Sequence, residues 1–184
     1  MAEPRNASVA IVGAGDYIGA AIARRFAAGG YLVFCGRRNG GQLTPLINEI
    51  EAAGERAHGR SLDARKEDQV APFMADADAA APLEVAVFNV GGNVNFPLLD
   101  TTERVFRKVW EMACFAGFLS GREAARRMLP RKRGTILLTG ATAPHKAPWP
   151  RLWWTSAFPA VHIIIATTAS IRAGIAVGLS APML

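Results

Sequence analysis

A glycine-rich turn between an apolar strand and an amphipathic helix constrains the fold of this chain more than any other feature. Residues 7–12 are small or β-branched apolar residues, the pattern of a buried strand. Residues 13–19 form the glycine turn, and apolar residues then recur at helical spacing. This helical stripe consists of Ile18, Ile22 and Phe26. The pattern predicts a strand–turn–helix unit that opens an α/β domain.

Such a turn suits the pyrophosphate of a dinucleotide. A phosphate group needs backbone N–H donors at a helix N-terminus and no side chain that blocks its approach. The alternative is that the glycines only make a tight structural turn. We favour nucleotide binding because the turn lies between a strand and a helix. The candidate cofactor-binding residues of the turn are Gly13, Gly15, Asp16, Tyr17, Ile18 and Gly19.

Strands and helices are predicted to alternate along the following residues. Apolar runs predict strands at residues 31–35, 84–90 and 135–139, and residues 57–62 form a weaker strand candidate. Helical periodicity predicts helices near residues 43–50, 70–74 and 101–128. Asp100 and Glu103 resemble a capping box at the start of the last helix. Alternation of this kind implies right-handed crossovers. The predicted fold class is therefore α/β: a doubly wound, Rossmann-like parallel sheet in three α/β/α layers, incomplete at the C-terminus.

The end of the second predicted strand bears on the choice between NAD and NADP. An NAD site usually has an acid there that binds the ribose 2′-hydroxyl, whereas arginine accommodates a 2′-phosphate. This strand ends in Arg37 and Arg38, and no acid lies near them in the sequence. Two guanidinium groups suit a phosphate dianion. We predict NADP as the cofactor, with NAD as the weaker alternative. If the arginines have no role in binding, they form only a solvated basic turn.

The charge distribution divides the chain near its C-terminus. Residues 1–123 hold all 15 acidic residues and 13 of the 21 basic ones, a net charge of −2, whereas residues 124–184 hold eight basic residues and no acid, a net charge of +8. We predict a dinucleotide-binding domain at residues 1–143 and a divergent tail at residues 144–184. A frameshift product, a truncation and a genuine new segment are three open explanations of this tail.

Other classes of protein and site are disfavoured. The two cysteines make no disulfide framework, the three histidines have no metal-ligand spacing, and no secretory signal precedes the first strand. The basic residues at 126–133 suit a helix C-terminus better than a nucleic-acid patch. Membrane attachment through residues 157–179 is disfavoured by Pro159 and Arg172. We expect a cytoplasmic protein without a metal or a nucleic-acid partner.

Several segments together resemble motifs of the short-chain dehydrogenase/reductase family. The turn at residues 12–19 resembles the family's Thr-Gly-x-x-x-Gly-x-Gly motif, with Val12 for the threonine and Tyr17 for the middle glycine. Asp63 falls where the family has an aspartate that contacts the adenine amino group. Residues 88–91 resemble the Asn-Asn-Ala-Gly motif, and add Asn89 and Gly91 to the candidate cofactor site. The resemblance extends over about residues 7–143.

The family's catalytic positions differ in this chain. Residues 110–113 resemble the helix segment that usually carries a catalytic Asn, and Ala113 stands in its place. Residues 134–142 resemble the strand that leads to the catalytic Ser, and Ala141 stands there. We therefore identify no catalytic residue at either position.

The family's acid/base pair, a Tyr followed four residues later by a Lys, is also not recognised. No tyrosine follows Tyr31, the only lysine after the fifth predicted strand is Lys146, and Phe158 has no hydroxyl for proton transfer. Thr139 and Thr142 have hydroxyls, but a threonine without a positioned base is a poor acid. The resemblance thus predicts a cofactor site without its usual catalytic residues.

The resemblance implies an oxidoreductase that transfers hydride between NADP(H) and a carbonyl or alcohol. The alternative is a non-catalytic nucleotide-binding or partner-binding protein, and a tail-attached membrane protein is a third hypothesis. Family members commonly associate through the helix equivalent to residues 101–128, so we predict a homo-oligomer. Apolar residues extend round more than one face of this helix, as such an interface requires.

Overall fold

The computed structural model describes residues 2–91 and 97–139 and contains one parallel sheet. Strand β1 (Ser8–Val12) is buried along its whole length, because it lies between two other strands. It pairs in parallel with β2 (Leu32–Arg37) on one side and with β4 (Leu83–Phe88) on the other. The small and β-branched residues of β1 thus occupy the centre of the sheet, as predicted.

Two further strands extend the sheet at its sides. Strand β3 (Ala57–Ser61) pairs with β2, and β5 (Thr135–Leu138) pairs with β4, both in parallel. The strand order is β3-β2-β1-β4-β5, so the chain builds outward from β1 first in one direction and then in the other. The predicted doubly wound α/β sheet is therefore confirmed. Ligands of such sheets bind at the carboxyl ends of the strands where the order reverses, here between β1 and β4.

Helices cover both faces of the sheet. Helices α1 (Ile18–Ala27) and α2 (Thr44–Ala52) pack on one face, and α3 (Glu67–Ala80) and α5 (Ala116–Met128) pack on the other. Each face has its own apolar core. The largest fully buried side chains of the first core are Ile11, Leu43 and Ile50, and those of the second are Phe73, Met74, Leu83, Leu119 and Met128.

Helix α1 does not bury the stripe that its sequence predicts. Ile18 is 63% exposed, and Ile22 and Phe26 are only half-buried. The buried residues of α1 are Gly19, Ala20, Ala23 and Ala27. Small side chains allow the helix axis to approach the sheet closely, so the start of α1 lies tightly against the end of β1.

The helix predicted at residues 101–128 is interrupted. Helix α4 (Glu103–Trp110) joins α5 through a π-helical turn at Glu111–Phe115. Thr102 caps α4, because its hydroxyl oxygen accepts a hydrogen bond from the backbone N–H of Val105 at 3.3 Å. The predicted capping role of Asp100 is therefore wrong: that residue ends a preceding 3₁₀ turn at Leu98–Asp100.

The basic residues near the end of α5 form ion pairs within the fold. Glu123 is buried, and its carboxylate accepts hydrogen bonds from Arg126 at 2.7 Å and from Arg127 at 3.2 Å. Arg127 also donates to the backbone oxygen of Ala71 at 3.0 Å, which ties α5 to α3. Arg131 pairs with Asp78. Most of the positive charge at residues 126–133 is thus balanced inside the domain.

Candidate cofactor site

Two glycines of the turn after β1 are required by backbone packing. Gly13 has φ +90°, and a Cβ there would lie 2.5 Å from the backbone oxygen of Asn89. A Cβ on Gly19 would lie 2.5 Å from the backbone oxygen of Gly13. Any side chain at either position would collide with main-chain atoms. These glycines therefore bring the start of α1 against the ends of β1 and β4.

Gly15 differs from its neighbours, because a Cβ there would meet no atom of the described structure within 4 Å. The N–H groups of Gly13 and Ala14 donate to the Gly36 oxygen at 2.8 and 3.0 Å. Among the described residues, the N–H groups of Tyr17, Ile18 and Gly19 have no acceptor, and no side chain caps α1. Unpaired N–H groups at a helix N-terminus, beside a glycine with open space at its Cβ position, fit a pyrophosphate.

Asn89 connects the ends of three strands beside this turn. Its backbone N–H donates to the Val12 oxygen at 2.7 Å, and its side-chain Nδ2 donates to the Gly13 oxygen at 3.0 Å. Its Oδ1 accepts a hydrogen bond from the Thr139 hydroxyl at 2.9 Å. Asn89 thereby holds the turn after β1 to the ends of β4 and β5. Gly91, two residues later, is exposed, and a Cβ there would meet no atom of the described residues within 4 Å.

An acid from the glycine turn lies next to the end of β2, which the sequence pattern did not predict. Arg37 Nη1 donates to Asp16 Oδ1 at 2.6 Å, although the two residues lie on different elements. No acid lies near the two arginines along the chain, and Asp16 reaches Arg37 only through the fold. Arg38 is exposed and makes no hydrogen bond or ion pair with any residue that the structure describes.

Asp63 lies just after β3 and is held by a neighbouring arginine. Arg65 Nε and Nη2 donate to the two carboxylate oxygens at 2.9 and 2.6 Å. These hydrogen bonds lower the pKa of Asp63 to about 2, although partial burial raises it, and the charge of Arg38 adds to the lowering. Asp63 is therefore a carboxylate at any physiological pH.

A cavity of about 320 Å³ opens beside this ion pair. It lies between the loop after β3 and the region where α4 meets the π-helical turn. Its walls are Asp63, Arg65, Lys66, Trp110, Glu111 and Phe115. Charged groups on one side and aromatic rings on the other form a surface suited to a planar polar group.

The position that corresponds to the family's catalytic Asn lies in the π-helical turn. Ala113 is buried there, with 7% of its surface exposed, and its methyl group offers neither a donor nor an acceptor. The hydroxyl of Thr139 is already donated to Asn89. The other positions considered for catalysis, Ala141, Thr142, Lys146 and Phe158, lie outside the described residues.

The cysteines are free thiols in different surroundings. Burial raises the pKa of Cys35 to about 12, so this thiol is protonated and a poor nucleophile. Cys114 lies half-buried in the π-helical turn. Within residues 2–91 and 97–139, no three His, Cys, Asp or Glu side chains are grouped for a metal ion. In the same ranges, no helix combines the length and the apolar character needed to cross a membrane.

Comparison with known proteins relates this geometry to one family. The sequence profile described as "short chain dehydrogenase" matches residues 7–169. A solved short-chain dehydrogenase from Rhodopseudomonas palustris has 59% sequence identity and a TM-score of 0.75, over 92% of this chain and 76% of that one.

More distant relatives bind different forms of the nicotinamide cofactor. The NADPH-dependent 1-acyldihydroxyacetone phosphate reductase of Saccharomyces cerevisiae is 28% identical over 148 residues, 78% of this chain and 48% of that protein. A 7α-hydroxysteroid dehydrogenase solved with NADH is 26% identical, with a TM-score of 0.71 over 77% of this chain and 56% of that one. The chain spans about half the length of the curated relatives that it matches, for example 45% and 48%.

Proposed function

Because this chain belongs to the short-chain dehydrogenase family, whose members are NAD(P)-dependent oxidoreductases, we propose that it binds NADP(H) at the turn of residues 13–19. The observation that carries this proposal is the pair of guanidinium groups at the end of β2, next to open space at Gly15. An arginine at this place suits a 2′-phosphate. NAD(H) is the weaker candidate for the cofactor.

Each part of the cofactor has candidate partners in the described residues. The unpaired N–H groups at the start of α1 would hold the pyrophosphate, and Arg38, with Arg37, would hold the 2′-phosphate. Asp63 is the candidate partner of the adenine amino group, as the resemblance implies. A bound nicotinamide would supply or accept a hydride, and the substrate class by family is a small carbonyl compound or alcohol.

A second candidate function is nucleotide binding or partner binding without turnover. Two residues favour it: the methyl group of Ala113 has no proton to donate, and the Thr139 hydroxyl is hydrogen-bonded to Asn89. Hydride addition to a carbonyl develops negative charge on oxygen. A positioned general acid that meets this charge typically contributes ~10²–10⁴-fold to the rate.

We also propose that the protein is a cytoplasmic homo-oligomer that associates through α4 and α5. Exposed aromatic side chains line these helices: Phe106 and Trp110 are each 42% exposed, and Phe118 is 49% exposed. Trp110 stacks on Phe115, with ring centroids 5.7 Å apart. A face of this kind, with no buried residue in α4, suits a second copy of the chain. The free thiols fit a reducing compartment.

Titration of the full chain with NADPH and NADH tests the cofactor proposal. Replacing Arg37 and Arg38 together by Ala should weaken NADPH binding by ~1.5–3 kcal/mol, the value of a charge-assisted hydrogen bond. NADH binding should stay nearly unchanged. The matched control replaces Arg25, an exposed arginine of α1 away from the turn, by Ala. Equal NADPH and NADH affinities in the unmodified protein would contradict the NADP preference.

A further inference from the structure

The ion pair between Asp16 and Arg37 places a negative charge at the end of β2. The Arg37 guanidinium is largely covered, with 19% of its side chain exposed, whereas the Asp16 side chain is 70% exposed. Only Oδ1 of Asp16 is hydrogen-bonded to Arg37. In the described part of the chain Oδ2 has no partner, so it can accept a hydrogen bond from a ligand.

This carboxylate has opposite effects on the two forms of the adenosine ribose. A 2′-phosphate that approaches Arg37 also approaches Asp16, which repels it and already occupies one guanidinium N–H. A 2′-hydroxyl is a neutral donor, and an exposed carboxylate oxygen is a strong acceptor for it. Arg37, Arg38 and Asp16 together carry one net positive charge, compared with two for the arginines alone.

We propose that Asp16 is a specificity-determining residue that lowers the preference for NADP(H) and admits NAD(H) to the same site. This inference rests on the proposed function, because it assumes that the dinucleotide binds at this turn. The acid of an NAD site usually comes from the end of the second strand. Here it comes from the glycine turn and reaches the same place through its pairing with Arg37.

An alternative role for Asp16 is to hold Arg37 in position for a 2′-phosphate. Arg37 is the last residue of β2, and its backbone oxygen already accepts a hydrogen bond from the N–H of Leu62 at 2.9 Å. Strand pairing and burial therefore restrict Arg37 without help from a side chain that is itself mostly exposed. These contacts therefore favour the other role, in which Asp16 competes with the 2′-phosphate for Arg37.

The test compares dissociation constants for NADPH and NADH in the full chain and in Asp16→Asn, which keeps the size of the side chain and removes its charge. The ratio of the NADH constant to the NADPH constant should rise about tenfold, equivalent to ~1.4 kcal/mol. Tighter NADPH binding should account for most of the change, and added salt should reduce it. The matched control is Asp76→Asn, which neutralises an exposed aspartate paired with Arg60 on β3.

Three other results of this binding experiment would contradict the inference. An unchanged ratio, with both cofactors still bound, would overturn it and leave the proposed function intact. Weaker NADPH binding in Asp16→Asn would assign Asp16 the positioning role instead. Lack of binding of either dinucleotide to the unmodified chain would overturn the proposed function and this inference together. Asp16→Ser, checked by thermal unfolding, should repeat the Asp16→Asn result if the asparagine variant folds poorly.

Discussion

The turn after β1 and the π-helical turn between α4 and α5 both correspond to functional motifs of the family, yet they differ in their chemistry. The first combines required glycines, free N–H groups and two guanidinium groups. The second holds Ala113, a buried methyl group, where the family usually has a polar amide. Among the described residues, the first turn therefore offers groups that suit cofactor binding, whereas Ala113 in the second turn offers no proton donor.

The two turns differ in how strictly backbone packing determines their residues. Gly13 and Gly19 pack against main-chain atoms, so the cofactor turn cannot change without a change in how β1, β4 and α1 meet. Ala113 is buried in the π-helical turn, and its methyl group can form no hydrogen bond. Among the described residues, backbone packing therefore restricts the cofactor turn directly.

The largest expected effect is that of Gly13→Val on stability. The substitution forces a β-branched residue to φ +90° and against the Asn89 oxygen. We expect a loss of about 3 kcal/mol or more in the free energy of unfolding, from backbone strain and overpacking together. Chemical denaturation measures the free energy of unfolding. A variant as stable as the parent would contradict the claim that backbone packing requires glycine at position 13.

Gly15→Val sharpens the comparison, because its side chain should enter the cofactor's space and not the protein core. We expect an unchanged unfolding midpoint and a loss of about 100-fold in NADPH affinity, ~2.7 kcal/mol. Gly121→Ala is the matched control, since its Cβ also meets nothing within 4 Å but lies on α5. Unchanged NADPH affinity in Gly15→Val would mean that the turn has only a structural role.

The exposed aromatic face beside the π-helical turn gives a third prediction. Light scattering at micromolar concentration should give the mass of a dimer or tetramer, and Phe118→Asp should shift it toward a monomer because a charge would be buried at the interface. Leu129→Asp is the control, since Leu129 is comparably exposed, at 44%, but lies beyond α5. A monomeric mass for the unmodified chain would contradict the proposed interface.

The smallest expected effect concerns the ion pair at the end of β3. The pKa of Asp63 is lowered from its ordinary value of 3.8 to about 2, so the pair contributes stability above pH 4 that is lost as the pH falls toward 2. Asp63→Asn should therefore cost about 0.5–1 kcal/mol near neutral pH, and the difference from the parent should shrink below pH 4. Glu51→Gln, at an exposed acid with no ion pair among the described residues, is the matched control for the loss of one surface charge. A difference that stays constant from pH 7 to pH 3 would rule out this contribution.

Local patterns predict the fold well and the contacts of the site poorly. The alternation of strands and helices is sufficient to predict the parallel sheet, because the apolar residues of β1, β2 and β4 mark its buried centre. The π-helical turn and the Thr102 cap were missed, since both depend on how the helix meets its neighbours. The buried alanine face of α1 was missed for the same reason.

Local sequence patterns do not predict side-chain pairs between different secondary-structure elements. The bond from Arg37 to Asp16 joins the end of β2 to the turn after β1, and its formation depends on strand pairing. The link from Thr139 to Asn89 depends in the same way on the pairing of β4 and β5. One signal was available: in a doubly wound sheet the carboxyl ends of adjacent parallel strands converge, so polar residues there can be expected to meet.

The most direct test of the central claim measures binding and turnover in one sample of the full chain. NADPH is titrated first, and simple ketones and aldehydes are then added while oxidation of the reduced nicotinamide is followed. We predict saturable NADPH binding, tighter than that of NADH, with turnover far below about 1 s⁻¹, the low end for enzymes. Steady turnover at or above that rate would contradict the account and assign the acid's role to a residue such as Thr142. Failure to bind either cofactor would contradict the proposed cofactor site.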